Sequence, residues 1–430
     1  MTSILQDLAR SRRAGEPFGI ASVCSAHPLV IRAALRNAVL HGGPVLIEAT
    51  CNQVNQFGGY TGMRPQDFVE LIATIAAEEG LGWENIILGG DHLGPNPWRG
   101  EPADTAMAKA EAMIAAYVEA GFRKLHLDTS MGCAGEPEAL DDAMTATRAA
   151  RLAKAAERAA DAAGGERPVY IIGTEVPPPG GAHHAITALE PTSPEAAART
   201  IEVHRRIFAD AGLKDALSRV IAVVVQPGVE FGNENVVAYD RGRAQALCAL
   251  LDSEPDLVFE AHSTDYQGTA PLAQLVDDGF AVLKVGPELT FALREALYGL
   301  DLIASDLLPH YPPRNLMVVM EQLMLAHPGH WQGHYHGSQA QQRAQRHYSY
   351  SDRIRYYWNR PEAEQAVAQL MTALDGAVVP APLLRQHLPR FESWSTRPLD
   401  PRQVLVTAVQ HVLDSYSRAC QRRDYDPEPI

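Results

Sequence analysis

His92, Glu175 and His262 stand at the ends of three separate apolar runs, IILGGDH, VYIIGTE and LVFEAHS. Two imidazoles and a carboxylate are a common ligand set for a divalent metal ion such as Zn, Mn, Ni or Co. Gln226, near the end of IAVVVQP, offers a weaker oxygen ligand. Asp91 directly precedes His92, and an acid beside a metal ligand can shuttle a proton on a substrate held there. Lys284 in AVLKVGP can form a Schiff base or present a cation to a carboxylate, enolate or phosphate. Beside a metal set the cation role is favoured. Other runs end in Cys24, Ser25 and His27, in Glu48 followed by Asn52 and Gln53, and in Asp128 and Ser130, while Glu260 and Asp265 flank His262. Several of these groups sit inside apolar runs, where an unpaired charge is costly. Their recurrence points to a working site.

The elements that must position them are short. Apolar runs occur at 18–25, 44–50, 86–92, 124–130, 169–175, 221–227, 257–263 and 281–287. Each continues for a few residues without clean polar alternation and then breaks, as strands buried on both faces of a parallel sheet do. Between them lie stretches rich in Ala, Leu, Glu and Arg, such as 103–121, 138–164 and 194–213, with Gly121 and Gly164 as helix stops. Eight strand–helix units predict an α/β chain folded as a (β/α)8 TIM barrel over 1–306. Such a barrel carries its chemistry at the C-terminal strand ends. An open doubly wound sheet is the rival, but no GxGxxG follows 18–25. Residues 307–430 read as a C-terminal helical extension packed on the barrel.

Composition narrows the class. The chain has 430 residues, 46% of them hydrophobic, and acidic residues outnumber basic ones 52 to 37, a net charge of −15. Nucleic acid and anionic membrane surfaces are therefore not expected partners, and an anionic substrate needs a local cationic pocket. The five cysteines show no CxxC spacing, which reads as reduced thiols. The N-terminus has no signal-peptide pattern and no window is apolar enough to span a membrane, so a cytoplasmic location is expected. No GxxxxGK[ST] motif occurs, which disfavours a P-loop kinase.

The segments SVCSAHPLVI (22–31), LIEATCNQVNQFGGYTGM (46–63), IILGGDHLGPN (86–96), HLDTSMGCAG (126–135), IGTEVPPPGG (172–181), VVVQPGVEF (223–231), EAHSTDYQ (260–267) and SDRIRYYW (351–358) resemble the GatZ/KbaZ-like, tagatose-bisphosphate aldolase accessory-subunit family. That family is similar to class II aldolases. In those enzymes an Asp–His pair ends one strand, the His binding metal and the Asp moving protons, and the resemblance carries these roles to Asp91 and His92. His262 is similar to the later-strand His ligand and Glu175 to the strand-five carboxylate, while Gln226 stands where class II aldolases have His. The resemblance implies a metal-dependent ketose 4-epimerase, acting on D-tagatose 6-phosphate to give D-fructose 6-phosphate, or on a free ketohexose. It equally implies a non-catalytic subunit that stabilises a class II tagatose-1,6-bisphosphate aldolase. For the epimerase, Asp91, Asp128 and Asp265 are the expected proton carriers. Lys284 with Arg353 or Arg355 would meet the anionic end of the substrate, and Ser25, His27, Glu48, Asn52 and Gln53 its hydroxyls. Self-association into a homo-oligomer is a further expectation.

Overall fold

The computed structural model describes residues 3–173 and 189–421. All eight apolar runs become strands: β1 (Ile20–Cys24), β2 (Val45–Thr50), β3 (Ile86–Leu93), β4 (Lys124–Leu127), β5 (Val169–Ile172), β6 (Val220–Val224), β7 (Val258–Ala261) and β8 (Phe280–Val285). Each pairs in parallel with its sequence neighbours, and β8 pairs with β1, so the sheet closes. A helix follows every strand: Pro28–His41, Pro65–Glu79, Ala103–Glu119, Asp142–Ala163, Pro194–Asp210, Arg241–Cys248, Thr269–Asp277 and Pro287–Leu307. The architecture is a (β/α)8 barrel.

Local chemistry sets the element ends. Asp141 caps Asp142–Ala163 by accepting from Met144 N at 2.8 Å, and Gly164 ends that helix at φ 64°, a left-handed conformation that costs glycine little. The helix Ser3–Arg13 closes the N-terminal end of the barrel. Its Leu5, Leu8 and Ala9 join Ile20, Leu46, Ile87, Ile171 and Val282 in one apolar cluster. The lower barrel interior is thus dry and apolar, and the polar groups are left to the upper end.

Beyond Leu307 the helices Asn315–Ala326, Gln339–Tyr348 and Pro361–Leu374 pack on the helix after β8 and on one another. The last helix, Pro401–Cys420, returns to the barrel and lies against the helices that follow β1, β7 and β8. It buries Val404, Leu405, Val409 and Leu413, and Tyr416 donates its hydroxyl to Thr264 O at 2.8 Å. Burial of these side chains holds the extension to the barrel wall. Its 3₁₀ turn Arg353–Tyr357 thereby lies across the barrel mouth. Asp352 accepts from Thr290 Oγ1 at 2.6 Å, Tyr266 donates to Tyr350 O at 2.7 Å, and Asn359 donates to Tyr60 O at 2.9 Å. Among the described residues no helix is long and apolar enough to cross a membrane.

Candidate functional site

The register between β3 and β4 shifts between Gly90 and Leu93, and His92 adopts φ 48°. A bulge of this kind re-aims side chains, and here it brings Asp91 and His92 together at the mouth of the barrel. Left-handed backbone at a non-glycine residue costs about 1–3 kcal/mol and gathers at functional sites. Ser263 beside His262, at φ 53°, is a second case. On β4, Lys124, His126 and Asp128 are two residues apart and so share one face. His92, His126 and His262 meet with ring centroids 5.1, 4.9 and 5.2 Å apart. Together with Asp91 they offer ligand atoms all within 4.8 Å of one another.

Each ring is oriented by an acceptor on its outer side. His92 Nδ1 lies 2.7 Å from Asp128 Oδ2, His126 Nε2 lies 2.9 Å from Gly173 O, and His262 Nε2 lies 3.0 Å from Glu260 Oε1. A carbonyl or an ionised carboxylate can only accept, so these nitrogens donate; the coordinating nitrogen of His92 and of His262 is the other one, while His126 Nδ1 lies 3.0 Å from Asp91 Oδ1. Outer hydrogen bonds of this kind fix tautomer and ring direction in metal sites. Burial alone would lower His92, but Asp91 and Asp128 push it up to about 9, and hydrogen bonding to His92 brings Asp128 down to about 2 against its own burial. They form an ion pair. Burial lowers His262 to about 4, so it is neutral. Asp91 is held well below the usual carboxylate range, despite burial, by His92, Lys284 and the hydrogen bond from His126. The donor set fits a divalent cation, which would displace the His92 proton.

Beneath the imidazoles lies a buried ion network. Lys124, wholly buried, reaches Glu48 and Glu260 at 2.7 Å each, and both carboxylates are wholly buried too. Lys284 bonds Glu48 and lies 2.7 Å from Asp91 and 3.7 Å from Glu260. Despite burial, Glu260 is held far below the usual carboxylate range by Lys124 and Lys284. Glu48 and Glu260 thus face Lys124 and Lys284, and these four charges balance. Gly89 makes room for this layer: a Cβ there would stand 2.4 Å from Glu48 Oε1.

Above the imidazoles opens a cavity of about 1070 Å³. Asp91, His92, Asp128, His262, Asp265 and Lys284 line it from the barrel. Arg353, Arg355 and Tyr356 line it from the extension, and Asn52, Gln53 and Tyr60 from the loop after β2. Arg355 donates to Tyr356 Oη at 2.9 Å and Arg353 donates to His330 O. Arg99, exposed on the loop after β3, completes the cationic rim. Asp265 Oδ1 accepts from Gly286 N at 3.0 Å and Glu288 N at 2.8 Å, occupying the N-terminus of the helix after β8. Burial pushes Asp265 up to about 6.

Most of the residues singled out from the sequence therefore meet at one cavity, but three have other duties. Glu48 does not line the cavity; it neutralises Lys124 and Lys284 below it. Lys284 reaches the cavity, yet its charge is balanced by Glu48 and Asp91, so it is not an uncommitted cation for substrate. Gln226 Oε1 accepts from Gly228 N at 2.8 Å and Val229 N at 3.0 Å, which commits that oxygen to its own turn. Ser25 and His27 line the cavity, where Ser25 Oγ accepts from His27 N and His27 Nδ1 caps the following helix through Leu29 N. Glu175 and the loop EVPPPGGAH lie outside the described residues. His126, Lys124, Tyr356 and Arg99 were not anticipated. For His126 and Lys124 the two-residue spacing with Asp128 was the available signal.

The profile of the D-tagatose-1,6-bisphosphate aldolase subunit GatZ/KbaZ-like family matches residues 5–421. The chain is 62% identical, over 97% of its length and 99% of the relative's, to a D-tagatose 6-phosphate 4-epimerase of Agrobacterium fabrum strain C58. It is also similar to the crystal structure of a probable tagatose 6-phosphate kinase from Sinorhizobium meliloti 1021, with a TM-score of 0.86 and 57% identity, covering 94% of this chain and all of that one.

Proposed function

The chain belongs to the D-tagatose-1,6-bisphosphate aldolase subunit GatZ/KbaZ-like family, and from that premise we propose that it is a D-tagatose 6-phosphate 4-epimerase, forming D-fructose 6-phosphate. The observation that carries the reading is the meeting of three outward-bonded imidazoles, two of which, His92 and His262, line a cation-rimmed cavity, in a chain 62% identical to an epimerase of that name.

His92, His126 and His262, with Asp91 beside them, would hold a divalent ion such as Zn, Mn, Ni or Co, and Glu175 is a further ligand candidate. When bound, the ion supplies Lewis acidity toward a ketose carbonyl. The protein's own groups do the rest. Asp128, Gly173 O and Glu260 keep the imidazoles aimed. Epimerisation at C4 can run by cleaving and re-forming the C3–C4 bond, with the C4 hydroxyl giving up a proton and later regaining one. Asp265, poised near neutrality at about 6, suits that exchange better than Asp91 or Asp128, which are held low. Asn52 and Gln53, which line the cavity, would meet hydroxyls. Arg353 and Arg355 carry the positive charge for the phosphate, the helix terminus after β8 being already filled by Asp265. A P-loop kinase is disfavoured, since no GxxxxGK[ST] motif is present.

The test is incubation of the purified protein with D-tagatose 6-phosphate, with divalent metal or chelator, and measurement of D-fructose 6-phosphate. Metal-dependent conversion is expected. Arg355→Met should raise KM for the phosphorylated ketose about 10–100-fold, as loss of a charge-assisted contact does. An inert protein that instead stabilises a class II tagatose-1,6-bisphosphate aldolase would overturn the reading in favour of the subunit role.

A further inference from the structure

Cleavage of C3–C4 leaves an aldehyde at C4, and inversion requires that aldehyde to present its other face to C3. Turning it moves the carbonyl oxygen from one side of the C3–C4 axis to the other. The proton removed in cleavage and the proton returned on re-closure are therefore exchanged at two different places. One group within hydrogen-bond reach of the first place does not serve the second. Asp265, which lines the cavity from the barrel, suits one of them. A group elsewhere on the cavity wall can serve the other.

The extension presents a phenol there. Tyr356 lines the cavity, and its hydroxyl oxygen accepts from Arg355 at 2.9 Å. The guanidinium carbons of Arg355 and Arg353 lie 4.4 and 5.2 Å from its ring centroid. His330 stacks on the ring at 4.9 Å with planes 22° apart, and Tyr60 meets it edge-on at 5.0 Å. A phenol whose oxygen already receives an arginine N–H, with a second arginine beside the ring, keeps its own proton to give and has its phenolate stabilised once the proton is gone.

We propose that Tyr356 is a catalytic residue of this reaction, the second proton carrier, acting on the C4 oxygen in one of its two orientations. The inference rests on the epimerase reading above. In one direction the Asp265 carboxylate takes the C4–OH proton as the C3–C4 electron pair moves to C3, giving an enediolate and an aldehyde. After the aldehyde turns, C3 attacks its other face and the aldehyde oxygen takes the proton of Tyr356. The phenolate and the protonated carboxyl that remain exchange a proton through solvent before the next turnover. The reverse reaction exchanges the two roles. Consistent with this, Arg355 and Arg353 hold the pKa of Tyr356 below that of an ordinary tyrosine in spite of its burial, while the pKa of Tyr60 is raised to about 12 by burial. The charged and titratable groups facing Tyr356 are Arg353, Arg355 and Asp352 on its own turn, Tyr60 from the loop after β2, and His330.

The experiment compares wild type, Tyr356→Phe and protein carrying a fluorinated, more acidic tyrosine at 356, in both directions between D-tagatose 6-phosphate and D-fructose 6-phosphate across pH. Tyr356→Phe is expected to lower kcat about 100-fold or more with little change in KM. The fluorinated tyrosine is expected to restore turnover and move one limb of the pH profile to lower pH, the alkaline limb in one direction and the acid limb in the other. A kcat for Tyr356→Phe within about threefold of wild type would overturn the proposal and leave the epimerase reading standing. A raised KM alone would make the phenol part of the anion site, and lowered melting temperature without rescue would make it structural; both overturn it. If wild type converts neither sugar phosphate, the epimerase reading fails and this inference fails with it.

Discussion

Replacing Lys124 with methionine keeps most of its volume and removes one charge from a layer that water does not reach. Lys124, Glu48 and Glu260 are all wholly buried, with 2.7 Å between the ammonium and each carboxylate. Without Lys124, Glu48 and Glu260 face only Lys284, one charge short. Removing one partner of a buried pair costs about 3–5 kcal/mol because the other is left uncompensated. At about 2.1 cal/mol/K of unfolding entropy per residue, that lowers the melting temperature by about 3–6 °C if the chain unfolds as a unit. The loss should be larger at pH 8 than at pH 5. In the variant one of the two glutamates gains a raised folded-state pKa, and such a group contributes stability below its unfolded pKa that is lost as pH rises through the folded one. Calorimetric melts of wild type, Lys124→Met and Lys124→Met/Glu48→Gln at both pH values test this. The double variant, with balanced charge restored, should recover most of the loss. A single variant within about 1 kcal/mol of wild type at pH 8 would refute the reasoning, since it would mean that water or relaxation screens a layer that the geometry makes dry.

His126→Ala should lower divalent-metal affinity at least about tenfold, as should His92→Ala; metal per chain after dialysis, measured by plasma mass spectrometry, checks it, and unchanged content in either variant removes that residue from the set. Gln226→Ala should leave metal content intact while costing about 1–2 kcal/mol of stability from the lost turn hydrogen bonds, read by denaturant unfolding. Burial and the charge of Asp265 push Glu288 up to about 8, so its contribution to stability is present below an unfolded pKa of about 4.3 and fades as pH rises through 8. Glu288→Gln should match wild type at about pH 4 and melt higher than wild type at pH 9. The opposite order would show that Glu288 is ionised and favourably paired.

Much of the barrel was legible along the chain. Strands buried on both faces must be apolar, and helices between them must carry one apolar stripe, so eight runs and their spacers announce a closed parallel sheet. The strand-end rule brings Asp91, His92, His262 and Asp265 to one mouth from the sequence alone. The two-residue rhythm of Lys124, His126 and Asp128 was also present, but a single polar face inside a strand otherwise read as buried on both sides gave no partner for its charges. Only the tertiary structure supplies that partner. Closure of the barrel sets Glu48 of β2 and Glu260 of β7 against Lys124 of β4 and Lys284 of β8, residues far apart in sequence. It thereby turns Glu48 and Lys284 from expected substrate contacts into a neutral floor. Gln226 was decided by backbone geometry, because its oxygen meets two amides of its own turn. Tyr356 was decided by the packing of the turn Arg353–Tyr357 on the helix after β8 and on the helices Asn315–Ala326 and Gln339–Tyr348, which lays it over the mouth. Residue types and the period of a strand are local properties; which charge neutralises which, and which ring overhangs which cavity, depend on how the sheet closes.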